Sequence, residues 1–383
     1  MASLYLHIPF CERKCIYCDF YSIENMSPME EFLIALDREI VLYADVGRGE
    51  RFETIFLGGG TPSLLTPRQM AHLLDKLRKY FSVDPDAEIT VETNPGTVDE
   101  EKLRAYRTLG INRLSIGIQS FHDDELSFLG RIHDSGEAVR CVEQARRAGF
   151  DNISIDLIYS LPGQTMERWR RNLEGAVDLA PRHVSAYSLI VEDRTPLARM
   201  VASRQVSPTP TDAEADLYDF TMEFLGSKGF DHYEVSNYAL PGSRSRHNSN
   251  YWNHSDYLSF GPSAHSFWRR HEPGWSIPRR WWNIANLSTY CSSLRRNELP
   301  VVSSEELTQD QLRTERIFLG LRSDGLDLDR FEADFGTTFP PSHTGLIRQL
   351  VEEDRLVVDG GGRMRLSPKG YLLCDEICER LVF

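Results

Sequence analysis

The 383-residue chain exceeds the size at which a single core usually stops growing, so we expect a main domain and a smaller one. Its formal net charge of −14 argues against nucleic acid or anionic lipid as a partner held by overall electrostatics. No apolar run approaches the ~20 residues that a membrane span needs, and the first residues lack the regions of a signal peptide. Sparse cysteines indicate a reducing compartment, which predicts a cytoplasmic protein.

Short apolar, β-branched runs recur in the first half of the chain, and each is followed by a helix-like stretch. The predicted strands are Ser3–Ile8, Glu53–Leu57, Glu88–Thr93, Arg113–Ile118, Asn152–Ile158 and His183–Ile190. The predicted helices are Met29–Ala44, Pro67–Phe81, Val98–Leu109, Gly136–Ala148 and Met166–Leu179. Such alternation builds parallel βαβ units of an α/β fold, and six units are too few for a closed eight-fold barrel. The sequence therefore predicts an open partial (β/α)6 barrel over residues 1–205, with its chemistry at the carboxyl ends of the strands.

Three closely spaced cysteines, Cys11, Cys15 and Cys18, directly follow the first predicted strand. An odd number of close thiols cannot pair completely, which favours a metal site over a disulfide framework. Structural zinc needs a fourth ligand, and the nearest candidate, His7, lies in a predicted strand where histidine is usually packed. An iron–sulfur cube held by three thiolates instead keeps one iron open. Chance clustering of reduced cysteines is the remaining alternative.

The spacing Cys-x3-Cys-x2-Cys after a strand, with Tyr17 before the last cysteine, resembles the radical S-adenosylmethionine (SAM) proteins. The resemblance implies a [4Fe–4S] cluster on the three cysteines, with SAM bound to its open iron. It also implies an electron donor for the cluster and places Tyr17 near the adenine of SAM.

The ends of the later predicted strands carry glycine or polar residues, beginning with the run Gly58-Gly59-Gly60-Thr61. Glycines let backbone N–H groups approach a ligand closely. Each such position alone is an ordinary strand end, but together they resemble the oxygen-independent coproporphyrinogen III oxidase branch of the family. That resemblance implies SAM contacts from Tyr5, Tyr17, Gly59, Gly60, Thr61, Glu92, Gln119, Arg131 and Asp156.

The segment 206–304 breaks the alternating pattern and has an unusual composition. After a turn-rich linker, a helix is predicted at Asp212–Ser227 with Thr211 or Asp212 as its cap, and a strand at Tyr233–Tyr238. Five of the six tryptophans then fall between Trp252 and Trp282. Basic residues interleave with them, namely Arg244, Arg246, Arg269, Arg270, Arg279 and Arg280, against only Asp256 and Glu272.

Two interpretations of this segment stay open on composition alone. The first is a loop that packs its tryptophans into the barrel mouth, with solvated or paired arginines. The second is a site for a flat, polyanionic ligand, because tryptophan and arginine planes stack on such a ligand while guanidinium groups meet its carboxylates. Porphyrin and nucleic acid both fit that description, and the overall charge disfavours nucleic acid.

The run Arg246–Trp252 contains a His-Asn-x-x-Tyr-Trp pattern that resembles haem chaperones related to the oxidase. The resemblance implies that His247, in a predicted surface loop, holds haem together with Tyr251 and Trp252. Imidazole is a usual axial ligand of haem iron. His254 and His265 are further candidate ligands.

Residues 305–383 predict a winged-helix-like unit. Helices are expected at Thr308–Leu321 and Ser342–Glu353, followed by a hairpin formed by Arg355–Val358 and Arg363–Leu366. Its first part is acidic, which favours a structural or docking role over nucleic-acid binding. Cys374 and Cys378, one helical turn apart, are expected to face the core.

Two functions therefore compete: an oxidase that decarboxylates coproporphyrinogen, and a chaperone that carries haem to apo-proteins. The oxidases continue the cluster motif with another cysteine, whereas Phe20 stands there in this chain. They also carry a substantial segment before the motif, whereas ten residues precede Cys11. Together with the pattern at His247, these differences favour the chaperone. Turnover of SAM, the haem acceptor and the oligomeric state are left open.

Overall fold

The computed structural model describes residues 2–269, 278–336 and 343–382. Arg270, Glu272 and Trp275 of the tryptophan-rich stretch, and Ser342 of a predicted helix, lie outside the described residues. The strands are β1 (Ala2–Ile8), β2 (Arg51–Gly59), β3 (Ser82–Thr93), β4 (Arg113–Gln119), β5 (Asn152–Tyr159), β6 (His183–Ser188), β7 (Asp231–Glu234), β8 (Asn237–Ala239), β9 (Asp256–Phe260), β10 (His265–Trp268), β11 (Arg279–Asn283), β12 (Val301–Glu306), β13 (Leu326–Asp327), β14 (Leu356–Val358) and β15 (Arg363–Leu366). The helices are α1 (Met29–Leu42), α2 (Pro67–Tyr80), α3 (Glu100–Thr108), α4 (Asp123–Leu129), α5 (Ser135–Arg147), α6 (Met166–Asp178), α7 (Pro196–Ala202), α8 (Thr211–Ser227), α9 (Arg246–Trp252), α10 (Leu287–Arg295), α11 (Gln309–Leu321), α12 (Leu328–Phe335), α13 (Thr344–Glu352), α14 (Pro368–Tyr371) and α15 (Cys374–Val382).

Twelve of these strands form one sheet in the order β12-β11-β10-β9-β1-β2-β3-β4-β5-β6-β8-β7. The strands from β9 through β6 pair in parallel, and the strands outside them pair antiparallel. Within the described residues β12 and β7 are the two edges, so the sheet is open and the predicted α/β fold is confirmed. The prediction of six parallel strands was incomplete, because β9 adds a seventh beside β1.

The two faces of the parallel strands differ in chemistry. On β1 the alternate residues Leu4, Leu6 and Ile8 are buried in the core beneath the helices. The opposite face, which we call the lumen, carries Ser3, Tyr5 and His7 on β1 and polar residues on neighbouring strands. Those neighbours include Thr54, Glu88, Thr90, Glu92, Arg113, Ser115 and Asp156. Helix α9 packs against the amino ends of β1 and β2, opposite the end that carries the cysteines.

Several local predictions need correction. The strand expected at Tyr233–Tyr238 is the hairpin of β7 and β8, in which Val235 and Ser236 form the turn. Helices α4 and α7 lie in stretches with no predicted element, and the run Arg246–Trp252 is helix α9 rather than a surface loop. Helix α8 begins at Thr211, and no side chain caps it.

The C-terminal part contains α11 to α15 and a three-stranded sheet in the order β13-β15-β14. The short strand β13 adds to the predicted hairpin, and Cys374 and Cys378 are buried as expected. The division at residues 205 and 305 stays a prediction. Among the helices in the described part of the chain, none has the length and hydrophobicity that crossing a membrane requires.

Candidate metal centre at the carboxyl ends of the strands

The loop of Cys11, Cys15 and Cys18 leaves β1 at its carboxyl end and is fixed by backbone hydrogen bonds. The Cys11 N–H donates to the Ile23 carbonyl at 3.0 Å, and the Cys18 N–H donates to the Cys15 carbonyl at 3.3 Å. Cys11 is buried, and the other two cysteines are half-buried. All three thiols are free and belong to this one loop at the mouth of the lumen.

Two hydrogen-bond donors approach these sulfurs. The Thr61 hydroxyl donates to Cys11 Sγ at 3.5 Å, and Arg131 Nη1 donates to Cys15 Sγ at 3.6 Å. Burial nevertheless raises the pKa of Cys11, and it raises the pKa of Cys18 to about 11. Thiols in such a setting become thiolates when a metal cation binds them.

Three cysteines on one loop are a donor set that fits an iron–sulfur cluster. Among the described residues, no three His, Cys, Asp or Glu side chains converge closely enough to hold one metal ion. A four-iron cube places each thiolate on a different iron, so it does not need that convergence. His7 is not a spare ligand, because its Nε2 donates to the Tyr21 carbonyl at 2.8 Å and its Nδ1 accepts from the Tyr5 hydroxyl at 3.2 Å. Four further cysteines, Cys141, Cys291, Cys374 and Cys378, are buried elsewhere.

Two glycines at the end of β2, Gly59 and Gly60, lie so close to neighbouring residues that a side chain would not fit. Gly59 has φ +106°, and a Cβ at this position would lie 2.7 Å from the His7 ring. A Cβ on Gly60 would lie 2.6 Å from the Phe10 carbonyl oxygen. Both glycines are therefore required for the strand end to pass close to β1 and the cysteine loop. The Gly59 N–H donates to Glu92 Oε2 at 3.1 Å, which brings two of the predicted SAM positions into contact.

A hydrogen-bond network joins the cysteine loop to the ends of β2 and β4. Asn94 Nδ2 donates to the Thr61 hydroxyl at 3.0 Å, and Arg131 Nη2 donates to Asn94 Oδ1 and to the Gly117 carbonyl, both at 2.7 Å. Gln119 has φ +70°, a left-handed conformation that is unusual for a residue with a side chain. A Cβ on Gly117 would meet the Gln119 amide, the Asn94 amide oxygen and the Arg131 guanidinium. Sequence reasoning missed Asn94, although it follows Glu92 at the same strand end.

Two half-buried carboxyl groups, Glu92 and Asp156, lie near this network. Burial, and then the Asp156 carboxylate, raise the pKa of Glu92 to about 8. Burial also raises the pKa of Asp156, although Ser115 and Ser154 donate to it at 2.9 and 3.0 Å. Such acceptors suit an ammonium group or ribose hydroxyls entering from the mouth. The residues predicted to contact SAM thus share one connected region, and their binding of SAM stays a prediction.

The predicted haem residues lie at the opposite end of the lumen. His247 is 1% exposed on α9, which corrects its placement in a surface loop. Its Nδ1 is hydrogen-bonded to the Thr54 hydroxyl at 2.7 Å and its Nε2 to the Tyr251 hydroxyl at 3.0 Å. Burial, and then the Arg113 guanidinium, lower the pKa of His247 to about 3. Trp252 is half-buried at the end of the same helix.

Among the described residues of the tryptophan-rich stretch, two tryptophans are core residues and the arginines have partners. Trp268 and Trp281 are buried, and they stack on Phe52 and Tyr43 at 6.3 and 5.9 Å between ring centroids. The described arginines of this stretch have partners: Arg244 with Asp324, Arg246 with Glu53, Arg269 with Asp256, Arg279 with Ser304, and Arg280 with Glu305 and Glu315. Several of the tryptophans and arginines described in this stretch therefore pack in the core or pair with other residues of the chain.

Comparison with known proteins agrees with this arrangement. Residues 5–174 match the radical SAM superfamily, and residues 307–373 match the HemN C-terminal domain. The chain is 35% identical to the heme chaperone HemW of Bacillus subtilis over 382 residues, covering 98% of each chain. It is 36% identical to heme chaperone HemW of Mycobacterium tuberculosis, covering 99% of this chain and 94% of the relative. The chain belongs to the HemW family of radical SAM proteins.

A solved structure resembles this HemW-family chain over nearly its whole length. Coproporphyrinogen III oxidase (HemN) of Escherichia coli, described as a radical SAM enzyme, superimposes with a TM-score of 0.83. It is 25% identical in sequence, and the match covers 99% of this chain and 89% of the other. The cofactors of radical SAM proteins are a [4Fe–4S] cluster and SAM, and the thiols of Cys11, Cys15 and Cys18 fit that cluster. When bound, the cluster supplies an open Lewis-acidic iron and an electron for SAM.

Proposed function

We propose that this protein is a haem chaperone that binds haem together with a [4Fe–4S] cluster and SAM, and passes haem to apo-proteins. The observation that carries the proposal is end-to-end similarity, at 35% and 36% identity, to proteins named heme chaperone HemW. The mouth supports the cofactor part, because its thiols, glycines and half-buried carboxyl groups form one connected region. The proposed compartment is the cytoplasm, and an electron donor for the cluster is a further proposed partner.

The alternative function is oxygen-independent coproporphyrinogen III oxidation, and the shared fold with HemN is compatible with it. Identity to that oxidase is 25%, lower than the identity to the chaperones. At the position where the sequence comparison expects a further cysteine in the oxidases, Phe20 presents a phenyl ring that is 67% exposed. No thiol is available there, which favours the chaperone.

The proposed site residues form two groups, one for the cluster and SAM and one for haem. Cys11, Cys15 and Cys18 would hold the cluster, and the predicted strand-end residues would contact SAM. His247, with Tyr251 and Trp252, stays the haem ligand predicted from the motif. Because both ring nitrogens of His247 are engaged, this role requires α9 to move away from Thr54.

The proposal is tested by two assays on the anaerobically reconstituted protein. In the first, haem is titrated into the protein and then offered to apomyoglobin as a generic acceptor. In the second, coproporphyrinogen is incubated with the protein, SAM and a reductant, and released carbon dioxide is measured. We expect stoichiometric haem binding, transfer to the acceptor and no carbon dioxide above the level without SAM.

SAM-dependent release of carbon dioxide would identify an oxidase and overturn the proposal. Failure to bind haem would overturn it as well, whatever the state of the cluster. Albumin loaded with haem serves as the control for the transfer assay, because it separates delivery by this protein from simple release into solution.

A further inference from the structure

One buried cation of the lumen has no bonding partner within the chain. Arg113, the first residue of β4, is 1% exposed. Its guanidinium forms no hydrogen bond and no ion pair with residues 2–269, 278–336 or 343–382, and its Nε atom is buried. Burying a charge that lacks a partner is strongly unfavourable. Arg113 therefore calls for an anionic group that the described residues do not supply.

The carboxyl groups on the lumen face are engaged elsewhere. The Glu88 carboxylate accepts the first two backbone N–H groups of α9 at 3.1 and 3.0 Å. Asp156 accepts two serine hydroxyls at 2.9 and 3.0 Å. Glu92 accepts the Gly59 N–H at 3.1 Å, and burial raises its pKa to about 8, so it is largely protonated at neutral pH. Arg113 acts on Asp156 and Glu92 through its charge, without a direct contact.

The cross-strand neighbours of Arg113 also have unused polar atoms. Thr90 on β3 is paired with Arg113 in register, and its hydroxyl is buried without a partner in the described part of the chain. On β5 the paired residue is Asn152, whose amide oxygen is unpaired as well. Nearby, by contrast, both ring nitrogens of His183 are bonded. Three adjacent strands thus present unused polar groups at one level of the lumen.

The lumen contains accessible space between this level and the mouth. Tyr187, near the carboxyl end of β6, is 42% exposed, and yet burial raises the pKa of its hydroxyl well above the usual value. Both hold together when the ring faces an enclosed space instead of the outer surface. Tyr5 and Glu92 likewise keep part of their surface accessible, although burial raises the pKa of each. A ligand that enters from the mouth therefore has space within the lumen.

A carboxylate is the anion that suits this position. The planar guanidinium donates two parallel hydrogen bonds to a carboxylate, and the Thr90 hydroxyl can donate a third. A singly charged group also fits one guanidinium better than a phosphate does, because Glu88 and Asp156 already place carboxyl groups in the lumen. Haem carries two propionates, and the Arg113 charge is near enough to His247 to lower the pKa of that imidazole.

We propose that Arg113 and Thr90 form a carboxylate site inside the lumen, and that a haem propionate fills it when His247 holds the iron. The inference rests on the proposed haem function and deepens it, because it adds the group that recognises the acidic edge of the porphyrin. SAM also carries a carboxylate, and the test distinguishes the two sources.

The test compares ferric haem with its dimethyl ester, in which both propionates are uncharged. Each is titrated into the full-length wild type, Arg113→Met, Thr90→Val and Arg140→Met. The wild type should bind haem about tenfold or more tightly than the ester. Arg113→Met should lose this preference, and Thr90→Val should reduce it. Arg140→Met is the control and should keep the preference, because it removes a charge that is 60% exposed on α5.

Two further measurements separate binding from structure. Without haem, Arg113→Met should unfold at the same or a higher denaturant concentration than the wild type, because it removes an unpaired buried charge. A clear loss of stability, or an equal loss of haem and ester binding, would show a structural role and overturn the inference. In calorimetry on the reconstituted protein, Arg113→Met should bind SAM as the wild type does. Weaker SAM binding with an unchanged haem preference would assign the site to the SAM carboxylate and overturn the haem assignment.

The outcomes also separate this inference from the proposed function. A wild type that binds haem and its ester equally well would overturn the propionate site and leave the haem function standing. A wild type that binds neither would remove the proposed function, and the inference with it.

Discussion

Thr54 and Thr90 lie on neighbouring strands and face the same lumen, yet only one of their hydroxyls has a hydrogen-bond partner. Both residues are fully buried. The Thr54 hydroxyl is bonded to His247 Nδ1 at 2.7 Å, whereas the Thr90 hydroxyl has no partner among the described residues. A buried polar group is costly when it is unpaired, so the two hydroxyls have opposite effects on stability.

Replacing Thr54 by valine keeps the shape of the side chain and leaves the buried imidazole nitrogen without its partner. We expect Thr54→Val to lower the free energy of unfolding by about 1–3 kcal/mol. Thr90→Val is the matched control, and it should be neutral or slightly stabilising. Denaturant unfolding of both variants checks the prediction. Equal losses in the two variants would show that the bond to His247 contributes nothing measurable.

The three cysteines of the mouth give a second prediction at this scale. A variant with Cys11, Cys15 and Cys18 all changed to alanine should bind no iron–sulfur cluster after anaerobic reconstitution, because no other thiol lies in the loop. Cys141→Ala is the control, since this cysteine is buried on α5, away from the loop, and should leave the cluster unchanged. Iron and sulfide analysis and the reduced-state spin signal are the measurements. Four irons retained in the triple variant would contradict the assignment.

At the scale of elements, a buried carboxyl group joins α1 to the added strands. Glu39 is fully buried and accepts hydrogen bonds from the Gly261 N–H at 2.8 Å, from Asn283 Nδ2 and from the Tyr290 hydroxyl at 2.6 Å. Its partners lie beyond β9, at the end of β11 and on α10. Burial raises the pKa of Glu39 from 4.5 to about 7, although these donors lower it.

The raised pKa makes this junction sensitive to pH. The folded state binds the Glu39 proton more tightly than the unfolded state, so the stabilisation is complete below about pH 4.5 and is lost as the pH rises through about 7. In Glu39→Gln this dependence disappears. Relative to wild type, the unfolding free energy of the variant should therefore improve by on the order of 3 kcal/mol between about pH 4 and about pH 8.

Urea unfolding at the two pH values measures this difference. Glu31→Gln is the control on the same helix, because Glu31 is exposed and pairs with Arg295 at the surface. Loss of this surface ion pair should change the free energy of unfolding by about 1 kcal/mol or less. A Glu39→Gln variant whose relative stability does not change with pH would contradict the raised pKa.

A structural element can be predicted from the sequence when the residues that determine it are close together in the chain. The cysteine loop and the glycine run are local, and the structure has each where the pattern places it. The strand β9 was missed because Asp256–Phe260 is short and starts with a charged residue, and its partner β1 is far away in sequence. Pairing between such distant segments has no local pattern.

The helix α9 was missed for a related reason. His247, Asn250 and Tyr251 are polar side chains, and polar side chains predict exposure. Here the lumen is itself polar, so His247 meets Thr54 and Asn250 meets Ser3. A polar helix face becomes a buried face when the surface that receives it carries matching donors and acceptors.

For the whole molecule, the C-terminal part is connected to the sheet through α9 and α11. Arg316 on α11 is 8% exposed and donates from Nη1 to the Asn253 carbonyl at 2.9 Å and from Nη2 to Asp334 at 2.7 Å. Asn253 directly follows α9. One guanidinium thus joins α9 to helices α11 and α12.

Removing this guanidinium should weaken the connection. We expect Arg316→Met to lower the free energy of unfolding by about 1–3 kcal/mol, because the part-buried hydrogen bond to the Asn253 carbonyl and the ion pair with Asp334 are lost together. Arg313→Met on the same helix is the control, since the Arg313 side chain is 41% exposed and forms a surface ion pair with Asp310. Scanning calorimetry compares the two variants. Equal shifts of the unfolding midpoint would show that Arg316 does not connect the two parts.

The pairing of β1 with β9 has a consequence for biosynthesis. Strand β1 is synthesised well before β9. It pairs with β2 on one edge, and its other edge has no partner until Asp256–Phe260 has been made. At ~5–20 residues per second, that edge stays open for roughly ten to fifty seconds, and an open strand edge is a template for wrong pairing. The cysteine loop continues directly from β1, so its surroundings are incomplete throughout this interval. Cluster insertion is therefore expected to follow translation, and a chain cut short before Asp256 would expose an aggregation-prone edge beside unprotected thiols.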